Sequence, residues 1–345
     1  MSRYEHGGDV YGNVNIRLDF SVNTNPLGLP AQVRQALVSR VDEFSWYPDQ
    51  QCRLLRRAIA LDEGVCERQI LCGNGAADLI YRLCNAIKPR RALVCAPTFS
   101  EYERALAQAG CAVVHHMLEE SDGFALTDSI LEKITHGVEM LFLCQPNNPT
   151  GRLIAPEILS EILHRAQAVG AVAVVDECFL PFTNADSCKV LMPKHNKLVT
   201  IKAFTKIYAM AGLRLGYLLC VDEALLLRIS DAGAWWSVSV PAQIAGEAAL
   251  KVPNWREDTL RLIADEREFL SKEIERLGMT VYPSDANFLL IKSEEPLYEK
   301  LLSKGILIRV CGNFEGLDNS FFRIAIKEHD ENICLIQAIK EIIYG

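Results

Sequence analysis

The sequence predicts an α/β protein with a mainly parallel central sheet flanked by helices, followed by a smaller α+β C-terminal domain. Three observations lead there. Short, continuous apolar runs at 92–96, 139–144 and 171–175 read as strands buried on both faces. Helix-length segments separate these runs, which is the alternation of a crossover-connected sheet. After about residue 235 the composition shifts to a long charged helix and short strands.

Taken in order, residues 1–30 are rich in Gly, Asn and Pro and read as an extended arm. Helices are expected over about 31–40 and 50–60, and the regular alternation starts at residue 70. It runs through helix 76–88, strand 92–96, helix 100–109, strand 111–115, strand 139–144, helix 156–168 and strand 171–175, which ends at Asp176. Further strands are expected at 197–201 and 215–220. Beyond Pro253 a charged helix covers 254–277, then strands near 287–291, 306–309 and 321–326 and helices at 295–304 and 329–343. This gives an arm (1–30), a large domain (31–235) and a small domain (236–345), the last boundary soft by about ten residues.

Composition narrows the function. Half the residues are hydrophobic and 23% are charged, an ordinary soluble balance. A net charge of −8 argues against nucleic acid as a partner, and no apolar run is long enough for a membrane span. The 12 cysteines form no C-x-x-C pair, and many sit in apolar runs, as Cys95, Cys144 and Cys220 do. They read as free thiols in a reducing compartment, with no zinc site. The first residues lack an apolar signal core, so a cytoplasmic protein is expected.

Four motifs carry chemistry. In Phe204-Thr205-Lys206-Ile207-Tyr208-Ala209-Met210-Ala211-Gly212-Leu213-Arg214, a lysine lies in a small, apolar setting. Such surroundings and a nearby cation both lower a lysine's pKa, which an amine that attacks an aldehyde requires. Arg214 is a candidate for that cation and for a phosphate fork. Gly73-Asn74-Gly75-Ala76-Ala77-Asp78 is either a simple helix-start turn or a phosphate cradle using the amides of Ala76 and Ala77. Asn147-Asn148-Pro149-Thr150-Gly151 is either a turn or a loop that aims the Asn148 amide at an oxygen beyond the strand ends. Asp176 is either a cap or a functional acid; if buried it needs a cation, and a protonated pyridine nitrogen is one. A lysine for an aldehyde, an arginine and amides for a phosphate, an acid for a ring nitrogen and an amide for a phenolic oxygen together describe pyridoxal 5'-phosphate.

With these motifs the chain resembles the fold-type I pyridoxal-phosphate enzymes, the aspartate aminotransferase superfamily, over nearly its whole length. The resemblance implies that Lys206 bonds the cofactor, Asp176 pairs with its ring nitrogen and Asn148 with its phenolic oxygen. It implies phosphate contacts from Ala76, Ala77, Thr205 and Arg214, and a stacking ring at Phe99. Tyr47 resembles a tyrosine that reaches the cofactor phosphate of a partner subunit, which implies a homodimer with shared active sites.

Two subgroups compete. The segment around Asn147 and Asn148 is shared with histidinol-phosphate aminotransferases. Three others are more similar to threonine-phosphate decarboxylases of cobalamin biosynthesis. They are His6-Gly7-Gly8-Asp9, Asp19-Phe20-Ser21-Val22-Asn23-Thr24-Asn25-Pro26-Leu27-Gly28, and the tail from Ile308 to Ile326. Phe179 stands where many aminotransferases have a tyrosine. The resemblance implies decarboxylation of L-threonine O-3-phosphate or L-serine O-phosphate, with a histidinol-phosphate-type aminotransferase as the alternative. Arg323 is expected on the substrate carboxylate, and Arg309, His6 and Asn23 on its phosphate.

Overall fold

A computed structural model of the chain describes residues 6–12 and 15–345. The elements in order are β1 (Leu18–Asp19), α1 (Ala31–Ser39), α2 (Arg53–Glu63), β2 (Ile70–Gly73), α3 (Gly75–Ile87), β3 (Arg91–Ala96), α4 (Glu101–Gln108) and β4 (Ala112–Met117). They continue with β5 (Met140–Cys144), α5 (Pro156–Val169), β6 (Val172–Asp176), β7 (Leu198–Ala203), α6 (Phe204–Ile207), β8 (Gly216–Leu219), α7 (Glu223–Asp231) and α8 (Val240–Ala249). The last are α9 (Trp255–Arg276), β9 (Thr280–Val281), β10 (Phe288–Lys292), α10 (Leu297–Ser303), β11 (Ile306–Leu307), β12 (Arg309–Val310), β13 (Phe321–Ala325) and α11 (His329–Tyr344).

The main sheet has seven strands in the order β2-β8-β7-β6-β5-β3-β4. All of its pairs are parallel except those of β8, which runs against both β2 and β7. Successive strand residues point to opposite faces, and the core follows that rule. Leu93, Leu141, Leu143, Ala173 and Val175 pack into one apolar cluster. Ala92, Val94, Met140, Phe142, Val172 and Val174 pack into another. Both faces are therefore buried, which explains why these strands are apolar throughout.

A second, antiparallel sheet has the order β12-β13-β10-β9, and it shares a further apolar cluster with α9 and α11. The apolar run near 306–309 is two strands, not one. β11 pairs in parallel with β1, whereas β12 joins β13. Residues 20–25 of the N-terminal segment are packed in, with Phe20, Ser21, Asn23 and Asn25 all buried, whereas residues 9–12 are exposed.

Asn25 ties this segment to two other elements. Its Nδ2 donates to the Ile207 carbonyl at 2.8 Å and to Thr259 Oγ1 at 2.7 Å, and its Oδ1 accepts from Leu27 N at 3.0 Å. The Asn25 backbone N–H donates to the Lys206 carbonyl at 2.9 Å. Asn25→Ala leaves Thr259 Oγ1 without its donor and the Leu27 N–H without its acceptor, while the Ile207 carbonyl keeps its bond from Trp255 Nε1. Each buried, unsatisfied group costs about 1–3 kcal/mol, so a stability loss of roughly 2–4 kcal/mol is expected. Urea unfolding with an unchanged m-value is the check, and a loss below about 0.5 kcal/mol contradicts this bridging role.

Candidate active site

Every parallel strand that carries a functional residue ends at the same edge of the sheet. Asp176 is the last residue of β6, Lys206 follows β7 by three positions, and the loop holding Asn148 leaves β5. Ligand sites of open α/β sheets form beyond these carboxyl ends. A cavity of about 410 Å³ lies there. It is lined by Lys206, Asp176, Asn148, Ala76, Ala77, Phe99, Thr205 and Arg214, and also by His6, Asn23, Arg309 and Arg323. Of the residues singled out from sequence, only Tyr47 lies elsewhere, on the surface with its ring 5.0 Å from that of Trp236.

Asp176 is buried and accepts two hydrogen bonds. The Tyr102 hydroxyl donates to Oδ2 at 2.8 Å and the Cys178 backbone N–H to Oδ1 at 2.9 Å. Removal from water raises its pKa, against those bonds and the pull of Lys206. Lys206 Nζ lies 5.9 Å from the centre of the Phe179 ring. Desolvation pushes the Lys206 amine down to about 8, and Arg323 is the next cause. Arg214 contributes less than Arg323, so the principal cation is not the one its place in the motif suggested.

Arg323 is buried in the cavity wall. Its Nη1 donates to Asn148 Oδ1 at 2.5 Å and its Nη2 to the Ser21 carbonyl at 2.7 Å, while Nε has no partner. Burial lowers its pKa to about 10, which leaves it charged at neutral pH. An arginine can only donate, so it must face the Asn148 oxygen, and that leaves the Asn148 Nδ2 to donate elsewhere. Arg309 pairs in register with Arg323 across β12 and β13, and its Nη2 donates to Asn313 Oδ1 at 2.7 Å. Both polar atoms of the Asn23 side chain are buried without partners.

The start of α3 is shaped for an anion. The first N–H groups of a helix have no partner inside it. Gly75, at φ +83°, holds the Arg214 guanidinium so closely that an added Cβ would sit 2.7 Å from Nη2. Gly216 on β8 has no room for a Cβ either, because Ala76 N would lie 2.8 Å away.

Several cavity residues were not singled out from sequence. Tyr102 stands three positions after Phe99, its ring 5.5 Å away and edge-on, and that one-turn spacing was the available signal. Glu101, Arg104, Cys144, Cys178 and Phe314 also line the cavity, and for these the sequence held no comparable signal.

Comparison with known proteins decides the family. The aminotransferase class I and II family matches residues 15–339. The chain belongs to that family. It is 38% identical to a threonine-phosphate decarboxylase of Salmonella typhimurium, over 99% of this chain and 97% of that one. The histidinol-phosphate aminotransferase of Clostridium acetobutylicum superposes with a TM-score of 0.89 at 30% identity, covering 94% of this chain and 98% of that one. The L-threonine-O-3-phosphate decarboxylase of Porphyromonas gingivalis does so with a TM-score of 0.85 at 25% identity, covering 95% and 100%.

Members of this family use pyridoxal 5'-phosphate. The donor set here fits it. The cavity offers a lysine of lowered pKa, a buried acid without a cationic hydrogen-bond partner, and a helix start backed by an arginine. The Asn23 amide and Arg323 Nε add buried polar atoms that lack a protein partner.

The reactivity of Lys206 follows from these charges. In cofactor-free protein its acetylation by acetic anhydride is expected to rise with pH through a midpoint near 8, because only the free amine reacts. Arg323→Gln removes a cation and moves the midpoint up; Asp176→Asn removes an anion and moves it down. Peptide mass spectrometry reads the extent, and shifts of the opposite sign contradict the assignment.

Proposed function

We propose that the chain decarboxylates L-threonine O-3-phosphate, or L-serine O-phosphate, to the phosphorylated amino alcohol in cobalamin biosynthesis. The observation that carries this reading is the cationic wall. Arg309 and Arg323 stand side by side on β12 and β13 and line one cavity with Lys206, His6 and Asn23. A substrate with a carboxylate at one end and a phosphate monoester at the other meets a cation at each.

In this reading Arg323 grips the carboxylate with charged hydrogen bonds, and Arg309, Asn23 and His6 take the phosphate. Pyridoxal 5'-phosphate, when bound, supplies an electron sink for the pair released as a bond at the α-carbon breaks. Lys206 would hold it at the aldehyde, and its amine is the group that would return a proton to the α-carbon. Asp176 would keep the ring nitrogen protonated, and Asn148 would donate Nδ2 to the phenolic oxygen. The amides of Ala76 and Ala77, with Thr205 and Arg214, hold the cofactor phosphate, and Phe99 stacks on the ring. Phe179 has no hydroxyl to give to the phenolic oxygen, which favours decarboxylation over the alternative, a histidinol-phosphate-type aminotransferase. The likeness in backbone to the Clostridium aminotransferase supports that alternative.

The same reading extends to organisation. We take residues 1–30 as an arm, 31–235 as the cofactor-binding domain and 236–345 as the small domain. The seven-stranded sheet lies within the second and the four-stranded sheet within the third. Among the described residues no helix is long and apolar enough to cross a membrane. The cysteines are free and mostly buried, which supports a cytoplasmic setting.

The deciding assay gives cofactor-loaded protein L-threonine O-3-phosphate without a keto acid and follows carbon dioxide. A parallel arm supplies histidinol phosphate with 2-oxoglutarate and follows glutamate. Carbon dioxide release that is lost in Lys206→Ala is expected. Glutamate formation alone, or turnover that survives Lys206→Ala, sinks the reading.

A homodimer with shared active sites is part of the proposal. Trp46, Tyr47 and Trp235 are 65%, 82% and 68% exposed, an aromatic patch of the kind that marks an interface. Sedimentation at about twice the 38.5 kDa of one chain is expected. Lys206→Ala and Tyr47→Ala chains, each impaired alone, should regain activity when co-expressed, because one site of the hybrid is intact. A monomer, or hybrids without recovery, argues against sharing.

A further inference from the structure

Glu101 is an anion in a cavity read as taking an anionic substrate. It is buried and lines that cavity, where a bare carboxylate would repel a phosphate or carboxylate group. Its charge is committed to three donors. His6 Nε2 lies 2.8 Å from Oε1, the Tyr81 hydroxyl donates to Oε2 at 2.9 Å, and Arg104 Nη1 stands 3.5 Å from Oε1. His6, before the others, holds the Glu101 carboxyl below its ordinary value, so it is ionised at neutral pH.

His6 arrives on a segment whose backbone is fitted to the cavity wall. A Cβ on Gly7 would lie 2.3 Å from the Ser21 carbonyl oxygen. One on Gly8, at φ +91°, would lie 2.9 Å from Val22 Cγ1. The Gly8 N–H donates to Ser21 Oγ at 2.7 Å, and Ser21 Oγ donates to Asp19 Oδ1 at 2.6 Å. Two glycines thus seat the segment on Ser21 and Val22, and Glu101 catches its tip, with the His6 ring 5.7 Å from that of Phe99. With Nε2–H given to the carboxylate, Nδ1 is the ring nitrogen left, and in the doubly protonated ring it donates to an anion.

We propose that Glu101 is a positioning residue that latches His6 across the cavity mouth and leaves Nδ1 to the phosphate end of the substrate. An anionic wall becomes a hydrogen-bonding one, and the latched segment covers the pocket against water. The proposal rests on the phosphorylated-substrate reading above.

A double-mutant cycle tests it. The holoenzyme carries Glu101→Gln, His6→Ala or both, and calorimetry measures binding of O-phosphoethanolamine, a phosphate ester with no carboxylate to lose. In the presence of His6, Glu101→Gln is expected to weaken binding about tenfold, the scale of one charged hydrogen bond. With L-threonine O-3-phosphate it should raise KM more than it lowers kcat, and Glu101→Asp should recover part of the loss. In the His6→Ala background the same change should cost nothing, or tighten binding, because only a repulsive charge is removed. Tighter binding by Glu101→Gln with His6 present overturns the latch. So does an equal loss with and without His6, the mark of a purely structural role. A wild type that binds O-phosphoethanolamine but releases no carbon dioxide overturns the proposed reaction, while the binding cycle still decides the latch.

Discussion

The structure depends on holding ionic groups in a cavity largely withdrawn from water without giving each its matching counter-ion. Asp176 is satisfied by a tyrosine hydroxyl and a backbone N–H, neither of them a cation. Arg323 is held by an amide oxygen and a carbonyl, neither of them an anion. Direct pairing of such groups would neutralise them and leave nothing for a ligand to complete. Neutral hydrogen-bond partners instead keep each charge oriented and unspent. The cost appears in the shifted pKa values of Asp176, Lys206 and Arg323, all moved toward the neutral form, with desolvation the first cause of each.

Topology makes that cost bearable. Parallel strands bring several loops to one edge, so groups far apart in the chain meet over a rigid, apolar sheet. The antiparallel strand β8 has a further part: its Gly216 admits the start of α3 against the sheet, and Gly75 admits the Arg214 guanidinium in turn. Behind the cavity, Glu63 of α2 binds Lys189, Lys202 and Tyr217, and Lys202 also lies 3.6 Å from Glu177. Here opposite charges are paired, because this network fastens α2 to β7 and β8 and has no ligand to receive. Asp176 and Arg323, in the cavity, differ from this cluster in having neutral partners.

Much of this was legible in the chain. The buried strands were read from unbroken apolar runs, and Lys206, Asp176, Asn148 and Arg214 from residue types set in tight or apolar contexts. What was missed has physical reasons. α8 is apolar on nearly every side, so it offers no periodic contrast, and β2 is a four-residue edge strand that merges into the glycine turn after it. The division of 306–310 into strands of two different sheets depends on partners far away in sequence. Glu101 is functional in position only through a contact 95 residues distant, which no local pattern encodes. The order of influence on Lys206 was also hidden, since Arg323 reaches it through the fold and Arg214 through the motif.

Decarboxylation and transamination ask for the same residue types and differ in which bond at the α-carbon stands perpendicular to the cofactor ring. That angle is set by where a substrate's two anionic ends are held. Arg323 is fixed by Asn148 and Ser21, and Arg309, on the neighbouring strand, by Asn313 in the loop that follows it. Their in-register pairing on β12 and β13 leaves little freedom to either. In the proposed reading, reaction choice is thus a property of the small sheet and of the N-terminal segment packed on it, more than of the lysine and aspartate that do the chemistry. This accounts for how a backbone so similar to an aminotransferase can serve a different bond.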